Sequence, residues 1–596
     1  MVAPAQRTDS EPLLSMPAYT PAGTFSDDTR RLCCAPYVDV GFANAVIREV
    51  VQSERKAVPP SFGFDLDPVV RHCLRARRLL ILRYALATAV LVAGLVISPV
   101  ATVTWLSLCA LILGLRTPSV RQLPWQFRIV LWAGSFGFLF VAAIGTLAAL
   151  FAEGLILQDV GRGDGSLRGL AESFFEAGAA GLRMVAPVLL AAAMFLALFL
   201  TRRHAYAVLI TELAPGARAG APRSSNSRIE WRLGVVAAMQ RGNISVHATE
   251  PYTGAGGLMH GWSIAVSLKP RRAPEGGNRR ARDRVQIESS ALNQRVSDAI
   301  LALRDPQLRS GERIPNVYVV PYVAADGNRR ADDPLIDPET RTPRTMASAQ
   351  TIAAIEACPQ GGLRHYLRAV VPANGKEIRT PDDRLVLPAQ DTGIAVTAFV
   401  HLAVEGGMLY AEFMTTVMPE VGAKYHLVDQ LRPETIAGRA AVDTFRIFVR
   451  DNLVGPVNLI TTGWGALRLP ARMARSGKDA DEFRSFDYGA EFSVRELAAD
   501  FEIVKFLQRL DAWKYIRLLD RTVTEAVIDF LDDQGIDTDD FFNAVTNISN
   551  HYGDVHNSVG GIQNFGGENT NIQHNHNPGT PSGTSGGAGS SGGASP

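Results

Sequence analysis

The chain has 596 residues, 47% of them hydrophobic and 20% charged, with 60 basic against 59 acidic side chains. A length of this order implies several domains, and the balanced charge lacks the basic excess with which nucleic-acid binders neutralise phosphates, so no nucleic-acid partner is expected. Five scattered cysteines (Cys33, Cys34, Cys73, Cys109 and Cys358) form no C-x-x-C pair, which excludes a disulfide framework and fits a reducing compartment.

Residues 1–28 are polar and proline-bearing and read as disordered; Met1 to Pro21 carries Glu11 and has no continuous apolar core, so no signal peptide is expected. Within 29–78, Arg31 to Asp39 reads as an extended segment and Phe42 to Val51 as a helix. A piece of this size cannot bury a core alone and is expected to dock on the main domain.

The region 79–201 reads as a transmembrane anchor. Tyr84 to Leu115 is 32 residues without a charge, too long for one helix across a roughly 30 Å hydrocarbon layer. Pro99 near its middle divides it into spans at 80–98 and 101–115, joined at Ser98-Pro99. Further uncharged runs predict spans at 129–151 and 184–200. Arg71, Arg75, Arg77, Arg78 and Arg83 precede the first span, Arg116, Arg121 and Arg128 follow the second, and Arg202 and Arg203 follow the fourth; 152–183 carries five acids against three arginines. Basic flanks resist translocation, so four spans place both termini in the cytoplasm and the acidic loop outside an inner membrane. The spans contain no interior charge of the kind a transport path needs, which argues for an anchor.

Residues 213–228 are a Pro/Gly/Ala/Ser linker, and 229–469 read as a cytoplasmic α+β domain. Strand-like runs begin at Ile244, Trp262, Val317, Ile394 and Met408, the last two separated by the turn Glu405-Gly406-Gly407. Apolar spacing of three and four predicts helices near 288–304 and 435–453. Before the first of them lies a basic run containing Arg271, Arg272, Arg279 and Arg280, a solvated loop or a contact for anionic inner-leaflet lipid.

Farther on, 490–549 reads as a helical hairpin. Ser493-Val-Arg-Glu496 is a capping box, with Phe492 and Leu497 as its staple, expected to open a long helix reaching about Asp532; Thr538 caps a shorter one, about 539–549.

Chemistry-bearing motifs are sparse. Pro251-Tyr-Thr-Gly254-Ala-Gly256-Gly257 has the glycines of an anion-binding loop, but no Gly-Lys-Ser/Thr ending and no helix behind it, so a turn is the simpler reading. The best catalytic candidates are His401, Glu405 and His426, with Glu412, Tyr425 and Asp429 nearby in sequence; alternation puts His401 and Glu405 on one strand face, where a carboxylate beside a histidine suits a general base. No zinc spacing or nucleotide fingerprint accompanies them, so neither metal nor cofactor is expected.

Residues 550–577 are rich in Asn and Gly around Ile562, Gln563, Phe565, Gly566, Ile572 and Gln573, followed by a Gly/Ser tail at 578–596 that reads as disordered. Isolated apolar residues among Asn and Gln suit cross-β stacking, so this segment is a candidate assembly motif. Its Ile562-Gln563 core with Gly566 resembles, with one inserted residue, the core of the RIP homotypic interaction motif and related bacterial amyloid signalling motifs. Likewise Asn243-Ile-Ser-Val-His, Pro251-Tyr-Thr-Gly-Ala-Gly and Trp262-Ser-Ile-Ala-Val resemble segments of uncharacterised actinobacterial multi-pass membrane proteins, with Tyr252 in place of a phenylalanine. That resemblance implies membrane residence and no particular activity.

The sequence thus leads to a membrane-anchored α+β protein: four transmembrane helices, a cytoplasmic α+β domain that binds a protein partner, a helical C-terminal hairpin and a low-complexity tail able to self-associate. The rival reading is a membrane-tethered enzyme acting through His401, Glu405 and His426.

Overall fold

The computed structural model describes residues 23–115 and 167–545, apart from 272–286, 360–361, 373–377, 388–392, 501–502 and a few single positions, with isolated positions outside those limits. Among the described residues two short helices come first, α1 (Asp27–Val38) and α2 (Val40–Val46), so the segment from Arg31 expected to be extended is helical. Ser26 caps the first by accepting the Thr29 N–H, and Asp39 ends it and caps the second by accepting from Phe42. A π-helical turn follows at Ile47–Gln52.

Three apolar helices come next, α3 (Leu66–Ile97), α4 (Pro99–Leu115) and α5 (Leu167–Glu212). Ser98 is the whole connection between the first two, because Pro99 cannot continue a helix but starts one well. The expectation of four spans is met in part. Among the described residues, two helices are long and apolar enough to cross a membrane, Leu66–Ile97 and Val188–Glu212; α4, begun afresh at Pro99, is a shorter apolar helix. Residues 129–151 lie outside the described residues except at isolated positions.

Beyond a coil, Asn226 caps α6 (Ser227–Met239), and a mixed α/β unit begins. Its six strands are β1 (Ile244–His247), β2 (Gly257–Ser267), β3 (Tyr318–Asp326), β4 (Leu363–Val371), β5 (Ala395–Glu405) and β6 (Met408–Met418), in spatial order β1-β3-β4-β5-β6-β2. Only β1 and β3 pair in parallel; all other neighbours are antiparallel. Gly406 and Gly407, both at positive φ, make the β5–β6 hairpin turn between the paired residues Glu405 and Met408. One sheet face is covered by α7 (Ser289–Ala302) and α12 (Phe506–Asp533), with Leu292, Val296, Ile300, Ile516, Leu519, Val523 and Val527 packing on Val396, Val400, Leu409 and Phe413. Each such fully buried aliphatic side chain contributes about 1.5–3 kcal/mol.

This arrangement changes the reading of 490–549. Half of the expected capping box forms, Ser493 accepting the Glu496 N–H while the Glu496 carboxylate turns to the Gly254 and Gly256 amides, and the cap opens only α11 (Val494–Ala498). The chain then turns extended to pair with residues 420–422, through Gly422 N–H to Ala498 O and Asp500 N–H to Glu420 O. The long helix starts at Phe506 and belongs to the core of the sheet unit instead of forming a separate hairpin.

The helix expected at 435–453 is also longer. Helix α9 (Ile436–Leu467) continues through Pro456 and leaves the sheet to lie across α3, α4 and α5, so the 229–469 unit is not confined to one side of the bundle. After it, α10 (Leu469–Glu482) returns toward the π-turn.

The first 60 residues of the described chain knit these parts together. Leu32, Cys33, Val46, Val50 and Val51 share a core with Val69, Val70, Leu209, Leu233, Tyr425, Met473 and Val494. At its centre the fully buried Arg232 of α6 donates to the carbonyls of Val50 (2.9 Å), Glu54 (2.8 Å) and Lys56 (2.9 Å), tying down a stretch with few bonds of its own.

Candidate functional site

The sequence-derived catalytic candidates are not gathered in one place. His401 on β5 stands opposite Glu412 on β6, and its Nδ1 lies 2.8 Å from the carbonyl of His365. Glu405 ends the same strand at the exposed hairpin, paired with Met408. His426 sits on the 423–426 turn, its Nε2 2.8 Å from the Val421 carbonyl and 3.7 Å from Glu420. Tyr425 and Asp429 point elsewhere again, Tyr425 to Asp39 and Asp429 to Arg30 and Arg31.

What does assemble around His401 is a polar rung on the sheet. Tyr252 donates its hydroxyl to Glu412 (3.0 Å), Arg364 lies 3.8 Å from the same carboxylate, and the Tyr366 ring packs 5.4 Å from the imidazole. Burial pushes the His401 imidazole below the usual histidine range, against the pull of the His365 carbonyl, and it pushes the Tyr252 hydroxyl far up. Deeper on this face the guanidinium of Arg368 lies over the rings of Phe62 (5.5 Å) and Tyr322 (5.0 Å).

The glycine loop holds an anion after all, and the anion is the protein's own. Gly254 and Gly256 donate their N–H groups to Oε1 of Glu496 at 2.8 and 3.1 Å. A side chain at Gly256 would strike the Val417 carbonyl, and its φ of +94° is closed to other residues in any case. Burial pushes the Glu496 carboxyl above its usual range, with the two amides opposing. Among the described residues no group of three or more His, Cys, Asp or Glu is placed to hold a metal ion.

A concavity of another kind lies elsewhere. Where α1 and α2 meet the bundle, a cleft of about 620 Å³ is lined by parts of α3, α5, α9, the Pro36–Asn44 corner and Lys424. Five cationic side chains face it, Arg77, Arg83, Arg202, Lys424 and Arg450, with Asp39 and Asp451 as the carboxylates. Lys424 pairs with Asp39 at 2.8 Å, and burial of Asp39 is outweighed by that ammonium and the Phe42 amide, which hold its carboxyl below the usual range. Arg83 pairs with Asp451 across α3 and α9, both nearly buried. Sequence reading missed this site because its residues come from segments up to hundreds of positions apart; the arginines flanking the first span were its one signal. Of the basic run proposed for lipid contact, Arg271 pairs with Asp532, and Arg272, Arg279 and Arg280 lie outside the described residues.

Helix α9 completes the site's frame. Its inner face meets Tyr206 through Asp443 (2.5 Å), Trp105 through Asn452 (3.4 Å) and Ala87 through Gly455. Its outer face leaves Val442, Phe445, Val457, Ile460, Trp464 and Leu467 exposed, and α3 and α5 likewise expose Leu82, Leu86, Val92, Leu196 and Leu200.

Fold and cleft together define an α/β sheet unit whose own helix is built into an apolar helix bundle. A family model described as an AbeC-like domain matches residues 261–570, more than half of the chain, and the chain belongs to that family. The match covers β3 to β6 and most of β2, α9, α12 and the Ile562–Gly566 segment. No curated protein and no solved structure matches the chain.

Proposed function

We propose that this chain is a scaffold of the inner membrane, anchored by four spans with both termini in the cytoplasm, which holds its sheet unit rigidly at the membrane face to bind a cytoplasmic protein partner. The tail at 550–577 adds self-association. The observation that carries this reading is α9. Its outward stripe, Val442, Phe445, Val457, Ile460, Trp464 and Leu467, is too large and apolar for a water-facing surface, and the helix packs on α3 and α5, which expose apolar side chains of their own. Trp464 packs against Arg468 (4.2 Å), an aromatic and cation pairing suited to a headgroup layer, and Arg439 and Arg446 pair with Asp443 at the helix's other end. A helix of the sheet unit thus shares the membrane with the spans, which suits an immobile platform better than a tethered, mobile enzyme.

Photolabelling in intact membranes with a lipid-phase probe tests this. Label is expected on peptides covering 442–467 as well as 80–97; label on 80–97 alone would remove α9 from the membrane. A reporter fused after Arg228 should be active only in the cytoplasm and one inserted at Gly163 only outside. A turnover by the full chain that is lost on His401→Gln would replace the scaffold with an enzyme.

A further inference from the structure

The cleft between α3, α5 and α9 holds more positive charge than the protein itself balances. With Lys424 matched to Asp39 and Arg83 to Asp451, Arg77, Arg202 and Arg450 face the cleft without a carboxylate partner among the described residues. Arg77 donates to the Thr462 carbonyl (3.4 Å), and Arg202 donates to the Tyr37 carbonyl (3.2 Å) and lies 5.1 Å over the Tyr206 ring, partners that carry no negative charge. The Nε atoms of Arg77, Arg83 and Arg202 are buried and have no hydrogen-bond partner among the described residues. Orphaned donors of this kind are costly, and buried guanidinium charge more so, which is the signature of a site shaped for an anion with several acceptor oxygens. Arginine forks fit phosphate best, because their planar donors meet two oxygens at once.

The walls say which phosphate. Leu79, Leu80 and Ile447 line the cleft beside the charges. Leu82 and Leu86 of α3 and Phe445 of α9 are exposed at nearby positions on the same helices and continue the apolar path along the bundle. A soluble phosphate ester has no use for such a path; an acyl chain does. We propose that the cleft binds the phosphate headgroup of an anionic inner-leaflet lipid, with its chains lying along α3 and α9. This rests on the membrane reading above, since it places Arg77 and Arg202 at the level where the spans leave the bilayer.

The test uses the full chain purified in a neutral detergent and supplied with phosphatidylglycerol or phosphatidylcholine in mixed micelles, with bound lipid counted by native mass spectrometry. Phosphatidylglycerol should be retained and phosphatidylcholine not. Arg77→Gln with Arg450→Gln should weaken retention at least tenfold, whereas Arg475→Gln, the same charge change on the exposed side of α10, should leave it unchanged. Unfolding in phosphatidylcholine micelles reports whether the double variant folds; if it does not, Arg450→Gln alone, at an exposed position, should still weaken retention severalfold. Equal retention of the two lipids, or wild-type retention by the folded variants, overturns the site. Displacement of phosphatidylglycerol by millimolar glycerol phosphate would assign the cleft to a soluble ester and overturn the lipid source. Membranes washed in alkaline carbonate separate the two levels: a chain that stays in the pellet yet shows no lipid selectivity sinks the site alone, and a chain released to the supernatant sinks the anchor.

Discussion

Asp28 of α1 and Arg495 of α11 meet at 2.8 Å with their side chains only 3% and 1% exposed, so the beginning of the described chain is bonded to a segment near its end in the middle of the core. The same guanidinium nitrogen also donates to the carbonyls of Gly393 and Pro419, both at 3.1 Å. Removing one member of such a pair strands a buried charge, which costs about 3–5 kcal/mol, while replacing both by apolar groups of similar size is often neutral. Asp28→Asn and Arg495→Gln should therefore each lower the melting temperature in detergent by roughly 5 °C or more. Asp28→Leu with Arg495→Met should recover most of that loss. Additive losses in the double variant would show that the two residues act independently.

Glu496 makes stability depend on pH in a defined direction. Burial raises its carboxyl above the usual value of 4.5, so the folded chain keeps the proton over an interval in which the unfolded chain has already lost it. This group accordingly favours folding most below that unfolded value, and its contribution is lost as pH rises through the folded one. Glu496→Gln retains an acceptor for Gly254 and Gly256 and should flatten that part of the stability curve, with no loss at pH 7. Glu496→Ala leaves two amides without an acceptor and should cost about 1–3 kcal/mol. A large destabilisation by Glu496→Gln at neutral pH, read by thermal unfolding, would contradict the assignment.

The contact between α3 and α9 can be fixed covalently. A Cβ placed on Gly455 lies 3.6 Å from the Cβ of Ala87, inside the 3.5–4.5 Å range of disulfides. Ala87→Cys with Gly455→Cys should cross-link under mild oxidant, visible as two fragments held together on a non-reducing gel after cleavage at a protease site inserted in the 214–226 coil. Gly455→Leu should push α9 off α3 and expose the chain between 430 and 470 to protease. Free fragments after oxidation would place the helices differently.

For the tail, a peptide from Gly553 to Asn577 is expected to form thioflavin-positive fibres at neutral pH. Ile562→Asp with Phe565→Asp should stay soluble, because in-register stacking would repeat a buried charge about every 4.8 Å. These residues lie outside the described part of the structure, though inside the family match. A peptide that remains monomeric for days at high micromolar concentration removes assembly from the proposed function.

Much of the sheet was legible because its strands follow apolar and β-branched runs; β4 was not. In Leu363-Arg-His-Tyr-Leu-Arg-Ala-Val-Val the arginines break the pattern, and Arg368 is nevertheless fully buried, its charge spread over two aromatic rings supplied by Phe62 and Tyr322. Local grammar was likewise read correctly at Ser493 but not at Glu496, whose carboxylate is taken by the glycine loop, and the length of the helix was set by pairing with residues 420–422, which no window around 493 contains. The helix expected near 435–453 runs on through Gly455-Pro456; inside α9 the glycine admits Ala87 and the proline is accommodated. The cleft was hidden for a plainer reason, since its cations come from three helices and a turn that only the folded chain brings together.

Arg232 gives the fold a timetable. Its three acceptors lie at residues 50–56, so the hook is synthesised 182 residues after the first of them. A ribosome adding roughly 5–20 residues per second needs roughly ten to forty seconds for that distance. Meanwhile α3, α4 and α5 emerge and, on the membrane reading, enter the bilayer. The π-turn at 47–52 therefore waits, unfastened, while its neighbours are threaded, and closes only when the guanidinium arrives from beyond the last span. Nascent chains stalled before Arg232 should be cut by protease between residues 47 and 56, and chains stalled well beyond α6 should resist. The clasp would then act as a check on insertion: it can shut only on a chain whose helices have already found their places.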